Sequence, residues 1–202
     1  MNKKIFLTMT ILLSQSLFGS SKHLVINKHE FVIVTESYDI YDSKGTFMKF
    51  YDANNSKEAL FRLTLGDATG NCSERSLEDG SYEVEGDTIT LYSLWNRRGK
   101  AYLSPYGARI QQFKVLANGK LKAMGGQVYV EESKRNYDKE SGMQYLFYAP
   151  KNKEEKEELA QYVKDVELKY KATFVFKEEA KTLILKVKEA MNRKLKKTWK
   201  RI

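Results

Sequence analysis

The sequence predicts a mainly β (α+β) protein: an antiparallel β-barrel or strongly curved meander followed by two C-terminal helices. Three observations lead there. Apolar and polar residues alternate with a period of two from residue 29 to residue 132, as in strands that bury one face. Turn-forming Gly, Asn and Asp fall between the alternating runs. After Pro150 the apolar residues recur instead at helical spacing.

Residues 1–21 read as a signal peptide. Lys3 and Lys4 precede an apolar run at 5–13, and a polar stretch ends in Gly19, Ser20 and Ser21, the order of charge, apolar segment and small residues that export signals share. Cleavage is expected between Gly19 and Lys22. The run is too short, and too interrupted by Thr8, Thr10, Ser14 and Gln15, to cross the roughly 30 Å of hydrocarbon that a spanning helix must cover. The expected product is periplasmic or secreted, with an antiparallel β domain at 22–150 and a helical extension with a basic tail at 151–202.

Within the β domain, Phe61, Leu63 and Leu65 alternate with Arg62 and Thr64, Ile89 and Leu91 with Thr90 and Tyr92, and Phe113 and Val115 with Gln112 and Lys114. Each run predicts a half-buried strand. Turns are expected at 42–45, 85–87 and 117–120, where Gly and Asn supply positive backbone angles. The polar stretches 70–80 and 96–107 read as loops. Gly125 and Gly126, inside the strand-like run 121–132, predict a bulge or sharp bend, and 133–142 reads as a polar connector.

The first helix carries Leu159, Tyr162, Val163, Val166 and Tyr170 on one stripe, and Glu154, Glu155, Glu157 and Glu158 lie where the positive pole of its dipole favours acids. The run 172–176 fits either a strand rejoining the sheet or a helical link. The second helix places Ala180, Ile184, Val187, Met191, Leu195 and Trp199 on one stripe with cations around the rest. Its first part, 180–191, is expected to pack on the protein itself. Beyond Met191 too few apolar groups remain to be buried, so 193–202 is expected to project and meet something acidic.

Charge is distributed unevenly. Residues 21–150 hold 17 Lys and Arg against 17 Asp and Glu, whereas 177–202 holds 10 against 3, so +7 of the chain's net +9 belongs to the last helix. Such a basic end would ordinarily suit nucleic acid through counterion release. Export removes that partner and leaves an anionic envelope surface or an acidic protein. Cys72 is the single cysteine, so no internal disulfide forms and the core must hold the fold; burial is its expected state.

The run from Gly80 through Gly86-Asp87 to Tyr92, and the segment 110–121 with its Asn118-Gly119-Lys120-Leu121 turn, resemble hairpins of small exported bacterial barrels of the lipocalin-like type. The order of barrel, helix and short strand at 172–176 is similar too. The resemblance implies a cavity for a small apolar ligand at a barrel mouth.

Candidate chemistry is sparse. Cys72 with His23 or His29 could form a nucleophilic pair, but no motif surrounds them, and His23, His29 and Glu30 fall short of the convergent set a metal needs. No cofactor is implied. Glu83 with Glu85, or Asp67 with Asp87, could serve acid and base at a glycosidic bond, although alternation places Glu83 and Glu85 on one solvated strand face. Trp95, Arg97, Arg98 and Tyr102 fit a loop that stacks on and pairs with an anionic or carbohydrate-like ligand. Arg193, Lys196, Lys197, Trp199, Lys200 and Arg201 fit a helix end that meets a membrane or partner. The expected function is therefore a non-catalytic envelope binding or accessory protein. A carrier of an apolar ligand and a hydrolase with an unrecognised active site are its rivals.

Overall fold

The computed structural model describes residues 20–40, 43–70, 75–98, 103–131 and 152–199. Among them, nine strands form one sheet in sequence order: β1 Ser21–Ile26, β2 His29–Ile40, β3 Ser43–Asp52, β4 Phe61–Gly70, β5 Arg75–Glu85, β6 Thr88–Arg98, β7 Leu103–Val115, β8 Leu121–Val130 and β9 Thr173–Phe174. All neighbours are antiparallel except β8 and β9, which run parallel. Helix α1, Lys153–Tyr170, precedes β9, and α2, Lys177–Trp199, follows it. The order leaves β1 and β9 as edges, so the sheet is a strongly curved meander and not a closed barrel.

The curvature has a local cause. β4 pairs with β3 from Phe61 onward, but with β5 only through Gly66–Gly70. Its first half parts from β5 beyond Gly66, beside a register shift in its pairing with β3, and Leu63 and Thr64 come over Gly80. Gly80 permits that crossing: a Cβ there would lie 1.8 Å from the Thr64 carbonyl oxygen, closer than any side chain allows. The sheet therefore folds over itself, with β1–β4 facing β5–β8.

Aromatic rings fill the fold. Phe31, Phe50, Phe61 and Phe113 stack in sequence with centroids 5.0, 4.7 and 5.6 Å apart, joining β2, β3 and β4 to β7. Met48, Leu63, Ile89 and Leu91 are buried around them. Burial of one such side chain stabilises by about 1.5–3 kcal/mol. At one end, the Asn27 amide donates to the Val115 carbonyl at 3.1 Å, and His29 Nε2 contacts the Ala117 carbonyl at 2.5 Å. The β1–β2 turn is thereby tied to the β7–β8 turn.

A second core lies on the outer face, where α2 crosses the sheet. Ala180, Leu183, Val187 and Ala190 are buried on α2 against Tyr92, Leu94 and Ala108. The apolar stripe is thus rotated from the one periodicity suggests: Leu183 and Ala190 sit at its centre, and Ile184 and Met191 flank it. Packing of 180–191 on the protein itself agrees with expectation. The side chains of Leu195 and Trp199 lie outside the described residues.

The helix boundaries follow capping chemistry. Asn152 accepts from the Glu155 amide at 2.8 Å, and Glu154 and Glu155 fill the first turn. Lys171 ends α1 at φ 49°, and Glu167 accepts from the Phe174 amide at 2.8 Å, which aims 173–174 onto β8. The 172–176 run therefore contains a strand, not a helical link.

Three loop expectations need correction. Most of the stretch 70–80 is strand, since β5 begins at Arg75; β6 continues to Arg98 and β7 resumes at Leu103, so 96–107 is mainly strand; and β3 begins at Ser43, inside the expected turn. Polar composition misled in each case, because these polar groups satisfy one another across the ladder. Strand β1, with its Asn27-Lys28 turn at φ 50° and 67°, was not foreseen. By contrast, the turns at Gly86 and Gly119 have positive φ, and a register shift falls opposite Gly125, as expected.

Candidate functional site

Two regions hold chemistry, at opposite ends of strand β6. The first lies where β4–β7 place Asp67, Glu78, Trp95, Ser93 and Arg109 on one face: Asp67 is opposite Glu78, Glu78 opposite Trp95, and Ser93 opposite Arg109. Trp95, placed on a loop by sequence reasoning, points inward and is 7% exposed. Its ring stands 5.4 Å from that of Tyr170. Gly107 makes room for it, since a Cβ there would be 2.8 Å from the indole.

Electrostatics in this layer follow from burial. Desolvation pushes the Glu78 carboxyl above its ordinary range, opposed by hydrogen bonds from Trp95 and Thr64 and by the Arg109 charge. Arg109 is drawn downward by the same desolvation; its Nη2 donates to Ser93 Oγ at 3.0 Å and its guanidinium faces the Tyr170 ring at 5.2 Å. Its Nε is buried and finds no acceptor among the described groups. Tyr38 donates to Asp67 at 2.6 Å, and that bond raises the phenol's pKa. Arg97 lies over the Tyr106 ring at 4.8 Å. Arg98 is in β6 with its side chain outside the described residues, and Tyr102 and Cys72 also lie outside them.

Sequence reasoning missed Arg109 and Glu78. A signal for Arg109 was present: the alternation that points Phe113 and Val115 inward, carried back through Gln111, points Arg109 inward as well. Glu78 was hidden in the stretch read as a loop.

The second region is the outer surface of β5–β7 beside the later part of α2. A cleft of about 550 Å³ is lined by Tyr82, Glu83, Val84, Glu85, Thr90, Tyr92 and Gln112. Tyr92 donates to Glu83 Oε2 at 2.9 Å, and Arg193 Nη2 stands 3.5 Å from the same oxygen. Burial, with Glu83 adding to it, pushes the Tyr92 phenol up to about 12. The expected neighbours Glu83 and Glu85 therefore share this cleft. Asp67 is not beside Asp87: Asp67 pairs across the ladder with Glu78, and Asp87 forms an ion pair with Lys114 at 3.2 Å.

Of the tail residues, Arg193 is placed on Glu83. Lys196, Lys197 and Trp199 continue the backbone of α2, with side chains outside the described residues, as are Lys200 and Arg201. His23 contacts Glu30 at 2.6 Å on an exposed hairpin, while His29 lies against Gly119. No group of three or more His, Cys, Asp or Glu able to hold a metal occurs among the described residues.

Comparison with protein-family models, with curated proteins and with solved structures gives no match for this chain. The fold and these two regions therefore carry the functional argument.

Proposed function

We propose that the protein is an exported, non-catalytic envelope binding or accessory protein, a lipocalin-like curved sheet that presents the cationic end of α2 to an anionic lipid surface. One observation carries this reading: α2 uses its apolar stripe on the sheet up to Ala190 and Met191, and continues as Arg193, Lys194, Lys196, Lys197, Lys200 and Arg201 with no acid among them. Each cation near an anionic bilayer contributes about 1 kcal/mol of attraction, and the indole of Trp199 suits the interfacial depth. No described helix is long and apolar enough to cross a membrane, so the contact proposed is peripheral.

Against the carrier reading, the Phe stack fills the space between β2–β4 and β7. Of the groups the hydrolase reading named, Cys72 lies outside the described residues, and Glu83 is engaged by Tyr92 and Arg193.

Flotation with phosphatidylcholine vesicles, with and without phosphatidylglycerol, tests the proposal. The mature chain is expected to float only with the anionic lipid, and a form truncated after Met191 is expected to stay behind. Equal flotation of both forms would overturn the assignment of the tail. Tail-dependent capture of an acidic protein without lipid binding would likewise overturn the choice of a lipid surface.

A further inference from the structure

We propose that Arg109, at the polar end of the inner face, anchors a binding site for the carboxylate of a small organic acid. The observation that carries this is a cation with no counter-ion. Among the described residues its guanidinium makes one hydrogen bond, from Nη2 to Ser93 Oγ at 3.0 Å, and has no carboxylate within ion-pair distance. Its Nε is buried and donates to no described group. A charge withdrawn from water in this way is costly to hold unless an anion meets it.

The surrounding groups explain why the fold does not supply that anion itself. Glu78 acts on Arg109 through its charge, but its carboxyl is engaged by Trp95 and Thr64, and burial favours its neutral form. Asp67, opposite Glu78, accepts from Tyr38 at 2.6 Å. Both acids are thus committed elsewhere.

The walls of the layer suit an acid with an apolar or aromatic body. The Tyr170 ring lies 5.2 Å from the Arg109 guanidinium and 5.4 Å from the Trp95 ring, so aromatic surface stands directly beside the cation, as in pockets for small ligands. Arg109, Glu78, Tyr106 and Tyr170 are half-buried, so the layer is reached from solvent. Arg97, over the Tyr106 ring at 4.8 Å, brings a second positive charge to this end and draws an anion toward it. A singly charged carboxylate matches the single guanidinium fork, whereas the acids Asp67 and Glu78 oppose a second negative charge. The site stands apart from the surface contact proposed for the tail: Arg109 is on the inner face of β7, and α2 packs on the outer face against Ala108.

Calorimetric titration of the mature chain with benzoate tests the site, with benzamide as a neutral isostere and inorganic phosphate as a second anion. Wild type is expected to bind benzoate and not benzamide. Arg109→Gln is expected to weaken benzoate binding about tenfold or more, the loss of charge-assisted hydrogen bonds, and Arg109→Lys, which keeps the charge without the planar fork, to fall between the two. Ser93→Ala, which removes the hydroxyl that orients the guanidinium, is expected to weaken it about two- to tenfold. The cations of the tail are present in every variant, so a loss confined to these positions assigns binding to the inner layer. A thermal melt confirms that each variant is folded, and Arg109→Lys and Ser93→Ala keep the test open if Arg109→Gln loosens the fold. No benzoate binding by wild type, equal affinity for benzamide, or an affinity unchanged in the Arg109 and Ser93 variants would overturn the proposal. Phosphate bound more tightly than benzoate would overturn the choice of a carboxylate.

Discussion

The two cores of this protein are built from different material. Inside the fold, large rings dominate: Phe31, Phe50, Phe61 and Phe113 in one stack with Met48 and Leu63 beside them. Under α2, small residues recur where the helix meets the sheet, Ala108, Ala180 and Ala190 with Val128 and Val187, while Tyr92, Tyr129 and Phe174 supply the rings of that core. Rings bury much area each and interlock, so the inner core sets the stability of the curved sheet. Small residues let a helix approach closely, so the outer core sets the position of α2 and hence where its cationic end emerges.

The sharpest way to break this contrast is to empty the stack. Phe50→Ala is expected to cost about 3–5 kcal/mol, read from urea denaturation, whereas Val187→Ala on α2 is expected to cost about half that. Comparable losses at both sites would remove the distinction. Gly80→Ala tests the crossing that shapes the inner core. With no room for a Cβ beside Thr64, a loss of about 1–3 kcal/mol is expected as the strands separate. A stability equal to wild type would mean that β4 does not run over Gly80.

Enlarging the outer seat is gentler. Ala190→Leu is expected to cost about 1–3 kcal/mol and to displace α2 enough to separate Arg193 from Glu83, which would show as a further rise in the Tyr92 pKa in a spectrophotometric titration, because Arg193 is one of the groups that hold it down. An unchanged phenol would show that the seat does not position the helix end.

Burial also predicts a pH signature at the polar end of the inner face. Glu78 has a folded pKa raised above 4.5, so the folded state holds its proton longer than the unfolded state does. Stability is therefore highest below the unfolded value and declines as pH rises through the folded one. Asp79 is raised by the same cause, and its pH slope adds to that of Glu78. Glu78→Gln is expected to flatten the slope of unfolding free energy just above pH 4.5, measured in urea at a series of pH values. A slope identical to wild type would mean that Glu78 is solvated.

The smallest effect is expected at the tie between the two ends of the sheet. Lys28 sits at φ 67° next to Asn27 at 50°, a turn that favours Asn-Gly. Lys28→Gly is expected to stabilise by about 0.5–1 kcal/mol. A loss would indicate that the lysine side chain contributes more than its backbone costs.

How much of this was legible in the sequence depended on where polar groups find their partners. Strands with an apolar inner face, such as Phe61 to Leu65 or Ile89 and Leu91, announce themselves by alternation, and the turns at Gly86 and Gly119 by their residues. The segment from Arg75 to Gly80 did not, because Glu78 and Asp79 look like loop residues until Trp95 and Thr64 are brought beside them. β1 was obscured for a related reason: its turn uses Lys28 where glycine would have marked it. On α2 the spacing of apolar residues gave the face to within one step, but only the curvature of the sheet decides that Leu183 and Ala190 lie at its centre. The ligand loop was the least legible feature, since the inward direction of Trp95 depends on a register that composition does not reveal.

The two tryptophans offer the most direct measurement of the central claim, because Trp95 is 7% exposed in the fold and Trp199 belongs to the cationic end of α2. Fluorescence of the mature protein is expected to shift to the blue on addition of phosphatidylglycerol vesicles and to stay unchanged with phosphatidylcholine alone, and Trp199→Phe is expected to abolish the shift. An emission spectrum indifferent to anionic lipid, or a shift that survives in Trp199→Phe, would contradict the assignment of this helix end as the surface contact.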